Sequence, residues 1–300
     1  ETEKKKVLRK LQKYTVGISE TRKGKLGNAI YENSEGVLVL SDGYYDRKVG
    51  VVNEPNWSFL QYVKGVKILK KYRNTIEFEV YGPYALFSNP VMKVGGEKTS
   101  YHIPTYEALR GIVESIYWKP TIMWIIDAVR VMNPIQTETK GIRPIAYNGG
   151  NEHAYYTYLK DVRYQVRAHF EINYNHPELE EDRNENKHHN IARRMVNRGG
   201  RRDIFLGTRE CQAFEEPCVF GEGESYYDTM TGEVDYGFMY HGITYPEDAI
   251  LEEDKGKMTV RFWKPVMKKG GIIEFIRPEK CTQKRQIREM ERKVFGKGNF

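Results

Sequence analysis

Cysteine is scarce in this chain of 300 residues: Cys211, Cys218 and Cys281 are the three present, and none stands in a CxxC pair. So odd and scattered a set excludes a disulfide framework and gives no footing for a structural zinc site. It fits a reducing compartment, so the expected location is the cytoplasm. Long apolar runs are missing too. The most apolar stretch, Ile122 to Ile126, is far shorter than the roughly 20 residues a spanning helix needs. No secretory signal is recognisable, and no membrane partner is expected. Walker A, HExxH, GxSxG and the kinase motif set are all absent. The glycine-bearing stretches "YGPYALFSNP" and "VGGEKTS" lack the spacing that cradles phosphate. No cofactor is expected, and no repeat of solenoid period is found.

What is present is a folded composition with unevenly placed charge. Hydrophobic residues make up 39% and aromatics 13%, which is too much for a disordered chain. The 22 tyrosines suit half-buried β-surface and also suit RNA, where a flat ring stacks on a base. Residues 1–75 carry 16 Lys/Arg against 8 Asp/Glu, whereas residues 76–300 carry 32 against 33. The overall charge of +7 therefore says nothing about nucleic acid binding by the main body. Local clustering does. Between Arg183 and Arg209 stand eight Lys/Arg and only two acids, Glu185 and Asp203. That is a compact cationic patch; its plainer reading is a solvated helix face.

Patterning places elements along the chain. Residues 1–73 form a basic extension in which "EKKKVLRKLQKY" reads as a basic helix and "EGVLVLSDGYYD" as a strand with a turn at Asp42-Gly43. From residue 74 the signal sharpens. "TIEFEVYG" alternates as a strand. Thr105 is placed to cap a helix whose stripe is Ala108, Leu109, Ile112, Val113 and Ile116. "TIMWIIDAVRVM" predicts a central strand, residues 134–155 a long loop, and residues 156–172 a strand of clean alternation. In that strand Asp161, Arg163, Gln165, Arg167, His169 and Glu171 fall on the face opposite the apolar one, so His169 reads as solvent-facing. A helix over roughly 188–198 ends at Gly199-Gly200, and "RDIFLGTRECQAF" returns to extended structure. The order β-α-β-β-α-β over 74–217 predicts an α+β fold of ferredoxin-like, RNA-recognition-like plan. A small antiparallel β domain is expected over 218–281, with a hairpin turning at Lys269-Gly270-Gly271, then a charged tail over 282–300, read as helical.

Few constellations carry chemistry. Glu178, Glu180, Glu181 and Asp182 have no histidine at metal-ligand spacing and read as a solvated loop. His188 and His189 are neighbours, so on a helix they cannot both face one ion; no metal site is expected. RNA supplies its own nucleophile, the 2′-hydroxyl. Its cleavage needs a group titrating near neutrality, a fixed cation for the growing phosphate charge, and in-line positioning. His188 could act as base or acid, Lys187 as the cation, and Tyr117, at the end of the first helix, as a donor to phosphate. Arg183, Arg193, Arg194, Arg198, Arg201 and Arg202 could track backbone phosphates. On spacing alone a charged surface loop is the plainer reading of these residues, since Lys-His pairs are common.

The wording of the chain then supplies a resemblance. "YGPYALFSNPVMKVGGEKTSYHIPTYEALRGIVESIYWKPTIMWIIDAVRVMNPIQTETKGIRPI" resembles the amino-terminal half of the Cas-five-d family of type I-C CRISPR systems. "TYLKDVRYQVRAHFEIN", "DRNENKHHNIARRM", "GGRRDIFLGTRECQAFEEPC" and "FWKPVMKKGGIIEFIRPE" continue it in order, over about residues 74–296. The resemblance implies a repeat endoribonuclease similar in role to the Cas-six enzymes. It would cut without metal at the 3′ base of the repeat hairpin and leave a 2′,3′-cyclic phosphate. It implies guide RNA as partner, with the Cas-seven and Cas-eight subunits of Cascade, and retention on the 5′ handle. It assigns catalysis to a Tyr in "SIYW" and a Lys-His pair in "RNExKH", which are Tyr117, Lys187 and His188 here. His189 is an additional histidine able to substitute. A handle-binding subunit without catalysis is the alternative, and double-stranded DNA binding by the basic patch is compatible with both. Residues 1–73 stand outside the pattern; "LRKLQKYTVGI" and "EGVLVLSDGYYDRKVGVV" resemble the carboxyl tail of the Cas-three helicase–nuclease, as a gene-fusion remnant would.

Overall fold

The computed structural model describes residues 30–32, 38–40, 74–90, 92, 96–145, 148–150 and 152–294. The chain forms two units, 1–73 and 74–300. In the first, strands β1 (Ile30–Glu32) and β2 (Leu38–Leu40) pair antiparallel, so part of the predicted strand at 35–46 is observed. The predicted basic helix and the Asp42-Gly43 turn lie outside the described residues.

The second unit is a mixed α/β structure of antiparallel sheets. Strand β3 (Thr75–Ala85) is followed by the short β4 (Lys98–Thr99) and by helix α1 (Tyr106–Ile116). Thr105 caps α1 by accepting a hydrogen bond from the Ala108 amide at 3.1 Å, satisfying an amide the helix itself leaves unpaired. The buried stripe is Tyr106, Leu109, Ile112, Val113 and Ile116. Strand β5 (Ile122–Val131), β6 (Thr137–Ile142) and the 19-residue β7 (Ala154–Ile172) follow. A 3-10 turn (Pro177–Asp182) leads into helix α2 (Glu185–Val196), then β8 (Ile204–Phe205) and β9 (Gln212–Pro217). The main sheet runs β14-β5-β7-β3-β9-β8, with β4 and β6 also on β7; β14 is Ile272–Glu274. All of its pairs are antiparallel except β4 with β7.

Past β9, β10 (Val234–Asp235) pairs with β13 (Val266–Met267). β11 (Met239–Thr244), β12 (Lys257–Trp263) and β15 (Gln283–Glu289) form a three-stranded sheet in that order. Several expectations are corrected here. The long loop 134–155 contains β6, which forms a hairpin with β7; its exposed polar sequence "TETKGI" carries no core signal. The charged tail is a strand, not a helix: every β15 side chain is exposed, and pairing with β12 is a backbone matter that side-chain pattern does not report. The hairpin at Lys269-Gly270-Gly271 shrinks to one bridge, Lys268 with Ile272, because its two arms enter different sheets. The boundary at 217/218 does not divide the structure, since β14 returns to the edge of β5 and residues 74–300 hold together as one unit.

The polar face of β7 is also corrected. Gln165, Arg167 and His169 are buried rather than solvent-facing. The segment after β9 covers that face. Gln165 exchanges hydrogen bonds with Glu222 and Gly221, and Arg167 lies over the Phe220 ring while pairing with Glu77. Asp127 sits where the β5–β7 register shifts, and it reaches His169 Nδ1 at 2.9 Å. Buried polar side chains survive where each finds a partner.

Candidate active site

The candidate site is built where the end of α1 meets the start of α2. Tyr117 is the C-cap of α1, its backbone already extended, with its amide still donating to the Val113 carbonyl. Trp124 of β5 donates its indole N–H to the Tyr117 carbonyl at 2.7 Å and fixes that turn. Helix α2 starts at Asn184, whose side chain accepts from the Lys187 amide at 3.1 Å. Its buried positions are His188, Ala192 and Val196, a stripe of period four. Neighbouring helical residues point about 100° apart. The stripe that sends His188 into the core therefore sends Lys187 out to solvent.

His188 is 0% exposed and closes onto Tyr117: its Nδ1 lies 2.8 Å from the phenol oxygen. Its Nε2 lies 2.7 Å from the Asp182 carbonyl oxygen. A carbonyl can only accept, so Nε2 carries a proton; in the neutral ring Nδ1 then accepts from the Tyr117 hydroxyl. The Asp182 carboxylate completes the group. It accepts from Lys187 Nζ at 2.5 Å and from Thr121 Oγ1 at 2.8 Å, and stands 3.5 Å from His188 Nε2. Burial raises the Asp182 pKa, but the Lys187 and Thr121 hydrogen bonds outweigh it and hold the carboxyl below its ordinary value. Burial, with the Asp182 charge, pushes the Tyr117 phenol up to about 12, while Arg201 opposes the shift. Phe170 stands edge-on to the His188 ring, so the imidazole has an apolar wall on one side.

The structure brings Tyr117, Lys187 and His188 together around Asp182. The arginines divide. Arg193, Arg194, Arg198, Arg201 and Arg202 are exposed and form no ion pair among the described residues. Lys187 and Arg194 fall on one face of α2 at a spacing of seven, and Arg198 follows just past the C-cap Asn197. Gly199 and Gly200, at φ of 85° and 88°, turn the chain sharply back. The amides of Arg201 and Arg202 then donate to the Ser115 carbonyl, two residues from Tyr117. Arg183 is committed elsewhere: it is half-buried, donates to the His176 carbonyl at 3.1 Å and lies over the Tyr174 ring. His189 does not join the group. Its Nε2 meets the Thr75 carbonyl at 3.2 Å and ties α2 to β3.

Asp182, Thr121 and Trp124 escape sequence reasoning. In the sequence Asp182 stands with Glu178, Glu180 and Glu181 as an acidic run that reads as solvated. Glu180 and Glu181 are exposed, but Glu178 pairs with Arg292 and Asp182 holds Lys187. The signal that could find Asp182 is its place two residues before the α2 cap, beside the Lys-His pair. Among the described residues no group of three or more His, Cys, Asp or Glu is arranged to hold a metal ion. The three cysteines are free, and no described helix is long and apolar enough to cross a membrane.

Residues 75–274 match the family model described as CRISPR-associated protein (Cas_Cas5), in its Cas5d form. The chain belongs to the Cas5d family. It is 29% identical over 169 residues, 49% of its length and 68% of the relative's, to the CRISPR pre-crRNA endoribonuclease Cas5d of Mannheimia succiniciproducens. It is 32% identical over 102 residues, 31% of its length and 44% of the relative's, to the protein of the same name from Thermus thermophilus. A crystal structure of a CRISPR-associated protein superposes with a TM-score of 0.59 at 36% identity, covering 70% of this chain and 96% of that one. Family membership and the Tyr117–His188–Lys187 grouping are independent observations: one rests on the whole matched length, the other on three side chains and their distances.

Proposed function

We propose that this chain is an endoribonuclease of CRISPR repeat transcripts that works without metal. It cuts at the 3′ base of the repeat hairpin and stays on the 5′ handle of the mature guide as a Cascade subunit, in the cytoplasm, beside Cas-seven and Cas-eight subunits. The observation that carries this reading is the 2.8 Å contact between Tyr117 and His188 with Lys187 alongside. The relatives' names, both pre-crRNA endoribonucleases, support it. The order of four strands, β5-β7-β3-β9, with α1 and α2 as crossovers, supports a ferredoxin-like, RNA-recognition-like plan for residues 74–217.

Each residue has a definite task. The Tyr117 phenol, pushed up to about 12, does not ionise unaided at neutral pH. It acts as a relay: the 2′-hydroxyl proton passes to the phenol oxygen as the phenol proton passes to His188 Nδ1. The resulting imidazolium is steadied by the Asp182 carbonyl at Nε2 and by the Asp182 carboxylate at 3.5 Å. The 2′-oxygen attacks the phosphorus in line, and the bond to the 5′-oxygen breaks on the opposite side. The leaving oxygen takes a proton from water, and the imidazolium later gives its own back to solvent through the phenol. Lys187 offsets charge on the non-bridging oxygens. Its side chain is 52% exposed, and an exposed ion pair is worth about 0–1 kcal/mol, so it exchanges Asp182 for phosphate at small cost. Arg194 continues the same face, and Arg198 just past the helix end extends it as a phosphate rail.

One observation favours a second reading, a handle-binding subunit without catalysis: Tyr117 is 3% exposed and His188 0%. RNA must shift neighbouring side chains to reach the phenol. The deciding assay is cleavage of cognate repeat RNA by the full chain in chelator. Cutting that persists in chelator, stops with a 2′-deoxy nucleotide at the scissile position and falls in His188→Ala with binding retained supports the nuclease. Tight binding with no cutting supports the second reading.

A further inference from the structure

A cavity of about 460 Å³ opens between α1, the first residues of β5 and the three-stranded sheet. It shares a wall with the candidate site. Trp124, which holds the Tyr117 carbonyl, lines it, and so does Trp118, the residue after Tyr117. Its size is that of a small-ligand pocket, larger than one planar base requires. Its floor includes residues 122–125 of β5, which pair with β7 on one edge; on the other edge β14 reaches only residues 128–130.

The electrostatics of the cavity decide what it takes. Three guanidinium groups line it, and all are spoken for: Arg110 pairs with Glu114 and Asp248, Arg261 with Asp254, and Arg277 with Glu171 and Glu279. A phosphate entering the interior would meet carboxylates already on those cations and would lose hydration; the lining's remaining Lys/Arg, Lys293, is solvent-exposed. What remains are single hydrogen-bonding atoms. Arg261 Nη1, Glu247 Oε2 and Glu279 Oε2 are buried with no partner among the described residues, and all three residues line the cavity. Arg261 is itself only 1% exposed. Such atoms cost free energy until something completes them.

The geometry points to a nucleobase pocket beside the candidate site, taking a base with an exocyclic amino group from a nucleotide flanking the scissile phosphate. Guanine fits the chemistry best. Its N1–H and amino N–H are donors for the open carboxylate oxygens, its O6 accepts from a guanidinium, and its ring stacks on Trp118. Uracil has no amino donor to offer. The assignment deepens the nuclease reading and rests on it only for the words "scissile phosphate". The rail along α2 would hold the backbone while the cavity holds a base, a division of positioning from specificity usual in RNA recognition.

The test is calorimetric titration of the full chain with guanosine, uridine and inorganic phosphate. Guanosine should bind saturably and more tightly than uridine, and phosphate should not compete with it. Trp118→Ala should weaken guanosine roughly 10-fold, while Trp118→Phe, which keeps a ring and guards against misfolding, should restore most of it. Glu247→Gln should narrow the guanosine-to-uridine ratio. Equal affinity for both nucleosides, competition by phosphate, or indifference to Trp118→Ala would overturn the pocket. Repeat-RNA cleavage is scored separately. A chain that binds guanosine and does not cut keeps the pocket and loses the nuclease reading; one that cuts and does not bind guanosine does the reverse.

Discussion

Replacing Tyr117 by Phe removes one oxygen from the centre of the candidate site and nothing else. That oxygen lies 2.8 Å from His188 Nδ1, in a pair that is 3% and 0% exposed. The ring, its packing and the Trp124 hydrogen bond to the backbone all survive. The stability change is the missing hydrogen bond plus a buried acceptor left unpaired, together about 1–3 kcal/mol. For a unit of this size that is a melting-point drop of roughly 2–12 °C. A domain of ordinary stability, about 5–15 kcal/mol, stays overwhelmingly folded at 25 °C after such a change. If the hydroxyl were only structural, cleavage at 25 °C would therefore be almost unchanged. If it relays the proton, the rate should fall by about 10²–10⁴-fold. Single-turnover cleavage of repeat RNA at 25 °C, with a denaturation curve and an RNA-binding isotherm for the same variant, separates the two. A normal rate accompanied by the expected drop in stability would refute the relay and leave Tyr117 as a core tyrosine.

Lys187→Ala should show the opposite balance: a stability change within about 1 kcal/mol, because the Asp182 pair is half exposed, but a rate decrease of about 10²-fold or more in the same assay. Removing Arg194 and Arg198 together should weaken binding across RNA sequences. It should also flatten the slope of log affinity against log salt by about one for each phosphate no longer neutralised, read from filter binding at several salt concentrations. Glu215 of β9 is a buried carboxyl with no partner for either oxygen among the described residues, and burial pushes it up to about 8 from 4.5. The folded chain holds that proton where the unfolded chain has released it, so stability should fall as pH rises from about 4.5 to 8. Urea denaturation across this window should show the decline in the native chain and little of it in Glu215→Gln.

Some features are legible in the sequence because they are local. The Thr105 cap, the α1 stripe, the extended course of β7 and the glycine pair that follows α2 each follow from a few neighbouring residues, and the structure carries all of them. Where the sequence misleads, the missing term is a partner distant in the chain. His169 alternates with apolar residues and so reads as solvent-facing, yet the segment 218–228 covers that face and Asp127 meets the ring. β15 has no buried side chain, so nothing in its composition distinguishes a strand from a charged helix; the backbone of β12 decides.

The candidate site divides in the same way. By itself the sequence determined that a tyrosine ends the first helix and that a Lys-His pair opens the second, and helical geometry required the pair to face different ways. It also determined, through family-length similarity, which kind of protein to expect. Tertiary structure alone decided that His188 would meet Tyr117, 71 positions away in the chain, that Asp182 would bind Lys187, and that His189 would anchor β3 instead. The physical reason is that burying α1 and α2 against one sheet fixes their mutual position through many apolar contacts spread along the chain. The geometry of the site is set by that packing, and no short stretch of sequence contains it.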